Sequence, residues 1–170
     1  MGARDGAPMV PNFQIADLLG GGQAAVMGIL AAVIDARASG EGRYVDVAMT
    51  DVTLAHAVAS LGNYAALDEV TPRGGGLLSG GIPNYNMYET SDGRWMALGA
   101  LEPKFWQAFC EGAERPDLFG RGMMPGAEAD AVIEETAALF KTRTQADWSA
   151  FADRIDCCLA PVLTVAEAQN

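Results

Sequence analysis

The segment Gln23–Ala38 of this 170-residue chain, Q-A-A-V-M-G-I-L-A-A-V-I-D-A-R-A, is apolar on nearly every side of a helix. A helix without a polar face needs cover over most of its surface, so the fold is expected to bury it. Ser39-Gly40-Glu41-Gly42 ends it with the glycine signal of a helix C-terminus. The longest apolar stretch inside it, Ala24–Ile34, is broken by Gly28 and falls short of the roughly 20 residues of a membrane span. The pattern therefore predicts a core helix. Before it, residues 11–16 have an extended character. After it, Arg43–Ala48 alternates and is rich in β-branched residues, which predicts a strand. A second helix fits Thr50–Leu67, with Leu54, Val58 and Leu61 on one stripe.

Composition changes at residues 68–83, where five glycines and two prolines crowd into sixteen residues. The segment reads as a linker, with residues 74–81 a mobile loop, between a first part (1–67) and a second (84–170). In the second part, strands at 85–90 and 94–100 flank Ser91-Asp92-Gly93, a hairpin with Asp-Gly turn chemistry. Pro103 opens a helix to about Cys110. Further helices are expected at 127–141 and 145–155, and a short strand at 159–163. Thr164-Val165-Ala166-Glu167 has the form of a capping box, and the chain stops inside the helix it would start. The first ten residues, small and unpatterned, look like a connection entering a fold midway. Both ends are expected to be cuts.

With 11 Lys and Arg against 22 Asp and Glu, the net charge is −11. That excess argues against nucleic acid and anionic membrane surfaces as partners, since both need clustered positive charge. No charged, then apolar, leader opens the chain, so a cytoplasmic setting is expected. Cys110, Cys157 and Cys158 contain no C-x-x-C pair and read as free thiols. His56 is the only histidine, so no metal site is expected from His and Cys ligands. It lies in an apolar helical run and reads as a satisfied core or interface residue.

Chemistry must then rest on carboxylates. Asp17 precedes Gly20, Gly21 and Gly22 and the apolar helix, so it suits an N-cap. Negative charge there gains about 0.3–1 kcal/mol from the helix dipole. Glycines without a Cβ would let a ligand or another backbone approach closely, but no Gly-Lys-Ser/Thr follows them as in a phosphate loop. Glu102 lies where a strand runs into a helix, a rigid place for a working carboxylate and equally for a helix-start glutamate. Tyr85 and Tyr88 could line a pocket or pack in a core. Glu128, Asp130, Glu134 and Glu135 read as a solvated helix face.

The string F-Q-I-A-D-L-L-G-G-G-Q-A-A-V-M-G-I-L-A-A-V, followed by S-G-E-G-R-Y-V-D-V-A-M-T-D, resembles the family III CoA-transferases (CaiB/BaiF). The string G-G-I-P-N-Y-N-M-Y-E-T-S-D-G-R-W-M-A-L-G-A-L-E-P-K-F-W resembles the α-methylacyl-CoA racemase branch, and A-P-V-L-T-V-A-E-A is similar to the family too. The resemblance implies an α/β fold: the end of a Rossmann-like large domain, followed by an α+β small domain with an antiparallel hairpin and helices. It also implies a chain about half as long as the family's, a homodimer, and an acyl-CoA thioester as substrate. CoA would enter as part of that substrate, with no separate cofactor.

The resemblance places the family's key aspartate at Asp17 and the racemases' glutamate at Glu102, with Gly20, Gly21, Gly22 and Tyr85 as substrate-binding candidates. The racemase histidine lies upstream of the aspartate, outside these residues, and His56 does not occupy its place. Proton transfer at C2 of a 2-methylacyl-CoA would need one group on each face of the carbon. Glycine-rich backbone at a helix start would stabilise the enolate. A CoA-transferase would instead use Asp17 to form an anhydride and then a thioester. A third reading is a non-catalytic fragment that only binds a partner chain, because a partial fold leaves apolar surface to cover.

Overall fold

The computed structural model describes Gly2 and residues 4–169. Met1 and Ala3, in the unpatterned start, and Asn170 lie outside the described residues. The chain divides into two compact units, Met1–Thr71 and Pro72–Asn170.

The first unit is helical. A π-helix, Ala16–Gln23, runs directly into α1, Ala24–Ser39. Gly40, at φ +78°, closes α1 in the left-handed conformation and its N–H reaches Ala36 O at 2.9 Å. No extended segment precedes the helix; residues 12 and 13 bend and Ile15 N–H bonds Phe13 O. The expected single helix at 50–67 is two, α2 (Met49–His56) and α3 (Val58–Leu67). They part at Ala57, whose N–H bonds Leu54 O three residues back instead of continuing the α pattern.

The expected strand at 43–48 does not form, because a strand exists only by pairing and no partner strand lies among the described residues of this unit. Its alternation survives as burial: Val45 and Val47 are half-buried, Tyr44 and Asp46 exposed. Val45 lies against Gly28 of α1, where an added Cβ would stand 2.9 Å from Val45 Cγ1.

The apolar helix is the main departure from expectation. Among the described residues of the first unit only Gly20 is buried, and Met27 and Ile34 of α1 are 66% and 69% exposed. The π-helix also lengthens the apolar run. Ala16–Ser39, 24 residues of which an 18-residue stretch has mean hydropathy 1.6, is long and apolar enough to cross a membrane by length and composition, contrary to the expectation from Ala24–Ile34 alone. Buried core helices pass the same test.

The second unit has a core of its own. Strands β1 (Tyr85–Glu89), β2 (Trp95–Gly99) and β3 (Leu159–Pro161) form an antiparallel sheet in that order, with Tyr85 opposite Gly99 and Leu98 opposite Leu159. Met96 and Leu98 of β2 point into the core, while Trp95 stays exposed, as period-2 patterning requires. Gly93, at φ +75°, makes the hairpin turn, and Thr90 N–H bonds Arg94 O across it.

Helices α4 (Pro103–Gly112), α5 (Ala127–Phe140) and α6 (Gln145–Ala152) supply the rest of the core. Trp106 and Phe109 come from α4, Val132 and Phe140 from α5, and Trp148 and Phe151 from α6. Thr144 and Asp147 cap α6 reciprocally. The Thr164–Glu167 box forms as expected, with Thr164 N–H to Glu167 Oε2 at 2.8 Å. Glu135 is not simply solvated: it joins Arg115 at 2.8 Å and Arg121 at 2.7 Å, tying α5 to the segment that follows α4.

The glycine segment serves close packing. From Pro72 onward it belongs to the second unit, where Gly75, Gly81, Ile82, Pro83 and Asn84 are buried. Gly81 N–H bonds Gly76 O, Asn86 Nδ2 donates to Gly80 O and Tyr88 Oη to Pro83 O. A Cβ on Gly81 would stand 2.3 Å from Gly75 O, so two backbone stretches meet where no side chain fits. We expect Gly81→Ala to lower the unfolding free energy by about 1–3 kcal/mol, read by urea or thermal unfolding.

A second expectation concerns pH. The Arg94 guanidinium first, then the Thr164 amide and hydroxyl, pull the Glu167 carboxyl from its ordinary 4.5 down to about 2. A depressed folded value means that the stabilisation is fully present above 4.5 and is lost as pH falls towards 2. Glu167→Gln should flatten the stability curve in that window and leave its shape above pH 5 unchanged, measured by urea unfolding across pH.

Candidate active site

Asp17 lies in the first turn of the π-helix, and the N-cap position is held by Ile15, which offers no side-chain cap. The aspartate is therefore not the N-cap expected from the sequence. It is exposed, in a first turn where Leu18 N–H already bonds Gln14 O at 2.9 Å.

Gly20, Gly21 and Gly22 do not form an open turn either; they sit inside the helix. Interior amides are used in the helix's own bonds, so the donors expected from these glycines are taken. Gly20 has a packing role: an added Cβ would stand 2.9 Å from both Met49 O and Thr53 Oγ1, so the π-helix presses on the start of α2 there. Gly22 is exposed, and its Cβ would meet only Asp17 O at 3.6 Å. Single π-turns recur at functional sites, where they re-aim side chains relative to a regular helix.

Two grooves flank this turn. One, of about 530 Å³, is lined by Ala16 beside Asp17 and by Met49, Thr50, Thr53, Leu54 and Ala57. Its polar side chains are the Thr50 and Thr53 hydroxyls, which carried no signal in the sequence. The other, about 210 Å³, includes Leu19, Met27, Val52 and His56. His56 is exposed rather than buried in a core, and its Nδ1 lies 2.7 Å from Val52 O.

In the second unit Glu102 occupies the N-cap of α4 in extended conformation, followed by Pro103 at the first helical position. Its carbonyl accepts the N–H of Phe105 at 3.0 Å and of Trp106 at 3.3 Å, while its side chain makes no capping bond and is exposed. Glu102 is thus the helix-start glutamate of one sequence reading, and its exposed side chain, which makes no capping bond, also fits the other.

Upstream, Tyr85 is half-buried and lines a groove of about 390 Å³ with Leu78, Gly80, Met87, Ala97 and Gly99. Gly99 is three residues before Glu102. Tyr88 is a core residue instead: it is buried, stacked on Phe140 with ring centroids 4.7 Å apart. Sequence reasoning passed over Cys158. It is exposed at φ +53°, and its thiol is pushed up by desolvation and then by the charges of Asp156 and Glu102, within whose electrostatic reach it lies. Among the described residues no group of three or more His, Cys, Asp or Glu side chains is placed to hold a metal ion.

Each unit thus offers an exposed carboxylate: Asp17, whose neighbour Ala16 lines an apolar groove, in the first, and Glu102, three residues beyond the groove residue Gly99, in the second. A carboxylate next to apolar surface suits acid–base or nucleophilic chemistry on a substrate with a large apolar part. The family model described as CoA-transferase family III matches residues 1–170, and the chain belongs to that family. It is 33% identical to the alpha-methylacyl-CoA racemase of Mus musculus over 166 residues, covering 95% of this chain and 42% of that protein. It is 36% identical to the succinyl-CoA:mesaconate CoA-transferase of Haloarcula marismortui over 117 residues, covering 69% of this chain and 29% of that protein.

The structure of a CaiB/BaiF family protein from Brucella suis superposes with a TM-score of 0.74 at 22% identity, over 99% of this chain and 45% of that one. Helices with a small antiparallel sheet are thus a part of the CaiB/BaiF fold, as the resemblance implied. The chain spans less than half the length of the curated relatives it matches.

The glycines separate packing from ligand approach experimentally. Gly20→Ala should destabilise by about 1–3 kcal/mol through its clash with Met49 O. Gly22→Ala should leave stability unchanged or raise it by up to about 1 kcal/mol, as an alanine in a helix does. Thermal unfolding of the two variants checks both.

Proposed function

We propose that the whole protein is an α-methylacyl-CoA racemase-like enzyme that moves the C2 proton of a 2-methylacyl-CoA thioester. The observation that carries this reading is Glu102: an exposed carboxylate at a rigid strand-to-helix corner, free of capping bonds, three residues after the groove residue Gly99. The racemase relative, aligned over nearly all of this chain, supports it.

In the reaction one carboxylate takes the α-proton and the bond electrons move onto the thioester carbonyl. A protonated group on the opposite face then returns a proton to C2. By resemblance, the candidates for these roles are Glu102 and Asp17, the latter together with a histidine outside these residues. Tyr85 and the groove take the acyl group. CoA belongs to the substrate, and no separate cofactor is required. A homodimer and a cytoplasmic setting complete the reading, both by resemblance.

A CoA-transferase is the second reading, favoured by the exposed position of Asp17 and by the H. marismortui relative. Asp17 would then attack the thioester and carry acyl and CoA in turn. NMR of a 2-methylacyl-CoA in deuterated water, with no acceptor acid, separates the two. We expect deuterium at C2, and a racemisation rate about 10²–10⁴-fold lower for Glu102→Gln. Absence of exchange, with CoA passing to an added carboxylic acid, would make Asp17 a nucleophile and overturn the racemase reading.

A further inference from the structure

We infer that Asn84 is a positioning residue for Glu102, acting through the backbone of Ala100; the inference rests on the proposed role of Glu102. Asn84 is completely buried, between Pro83 and the groove residue Tyr85. Its Nδ2 donates to Ala100 O at 2.9 Å, and Ala100, also completely buried, stands two residues before Glu102. A buried carbonyl needs a donor, and here a side chain from the turn before β1 supplies one.

The chain between β2 and α4 is short and turns tightly, with Leu101 N–H bonding Gly99 O at 2.9 Å and Glu102 O receiving two amides of α4. Little slack separates the carbonyl that Asn84 holds from the Cα of Glu102. Displacing the first displaces the second.

The other end of the same side chain points to this role rather than to core filling. Asn84 Oδ1 is buried without a hydrogen-bond partner, a state that costs stability. Leucine would fill the same volume without an orphaned oxygen, but it would leave Ala100 O without its donor. The other buried side-chain atom without a partner among the described residues, Trp106 Nε1, belongs to the residue whose backbone N–H bonds Glu102 O. Both unsatisfied groups therefore sit on residues that fix the Glu102 backbone, and the bond Asn84 does make is the one to that corner.

The test uses the handedness of the reaction. With one group on each face, Glu102 abstracts the proton of one C2 enantiomer only. In the whole protein, Glu102→Gln should abolish C2 exchange from that enantiomer and spare the other. Asn84→Leu should show the same bias, with exchange of the Glu102-dependent enantiomer about ten- to a hundredfold lower and the other near the parental rate. KM for the thioester should change little.

The nearly isosteric Asn84→Asp, whose buried carboxyl stays protonated and can still donate to Ala100 O, should restore the parental ratio of the two rates. It also serves where Asn84→Leu does not fold. Equal loss for both enantiomers, no loss for either, or an altered ratio in Asn84→Asp overturns the role of Asn84 while leaving that of Glu102 intact. Parental exchange of both enantiomers by Glu102→Gln overturns the reading of Glu102 and this inference with it.

Discussion

Stacked aromatic rings in the second unit hold the candidate chemistry in place. Phe140 of α5 stacks on Tyr88 of β1 at 4.7 Å, lies 4.6 Å from Trp148 of α6 and 5.5 Å from Phe109 of α4. One ring thus joins the hairpin to all three helices. Each ring buries 150–250 Å², roughly, and the pair geometry adds about 0.5–1.5 kcal/mol per contact beyond area alone. Glu102 begins the helix that carries Trp106 and Phe109, so its position inherits the rigidity of this cluster. An exposed residue on a fixed base can be both accessible and precise in placement.

The first unit meets the opposite constraint. Its helices touch where glycine allows it, at Gly20 against α2 and at Gly28 against Val45, yet α1 keeps Val26, Met27, Ile29 and Ile34 more than half exposed. Apolar surface of that extent is a feature of surfaces that are covered in the working protein. The π-turn matters in this setting, since its wider pitch shifts the rows of side chains on either side of it. Asp17 within the π-helix and Met27 in α1 therefore lie on stretches of different pitch in one continuous helical run.

Most of the second unit was legible from local chemistry. The Asp-Gly turn, the proline of α4 and the capping box at Thr164 are signals whose physics is contained within a few residues, and all three form. What was illegible depended on distant partners. Arg43–Ala48 has the composition of a strand but no strand to pair with, and Glu135 has the look of a solvated face until Arg115 and Arg121 reach it. At the site, Glu102 was visible because its proline and glycine neighbours mark a strand–helix corner. Asn84 was not, because nothing in P-N-Y announces that its amide will meet Ala100. The three glycines were visible but misread: a run that looks like a loop became a helix because apolar residues on both sides extend through it.

Exposure itself bears on how the proposed reaction would work. A carboxylate in water holds a hydration shell that must be displaced before it can take a proton from carbon. Glu102 is exposed, and no side chain of its own unit shields it as a cap would. Under the racemase reading, the substrate must bring the dryness that the chain lacks. The groove that ends at Gly99 is lined largely by Leu78, Tyr85, Met87 and Ala97, and an acyl group lying there would exclude water from the corner next to it. Binding energy from the apolar part of the substrate would then be spent on the reacting carbon rather than on affinity alone. Tyr85 and Gly99 pair across the hairpin, and the chain that leaves the groove wall at Gly99 reaches Glu102 three residues on.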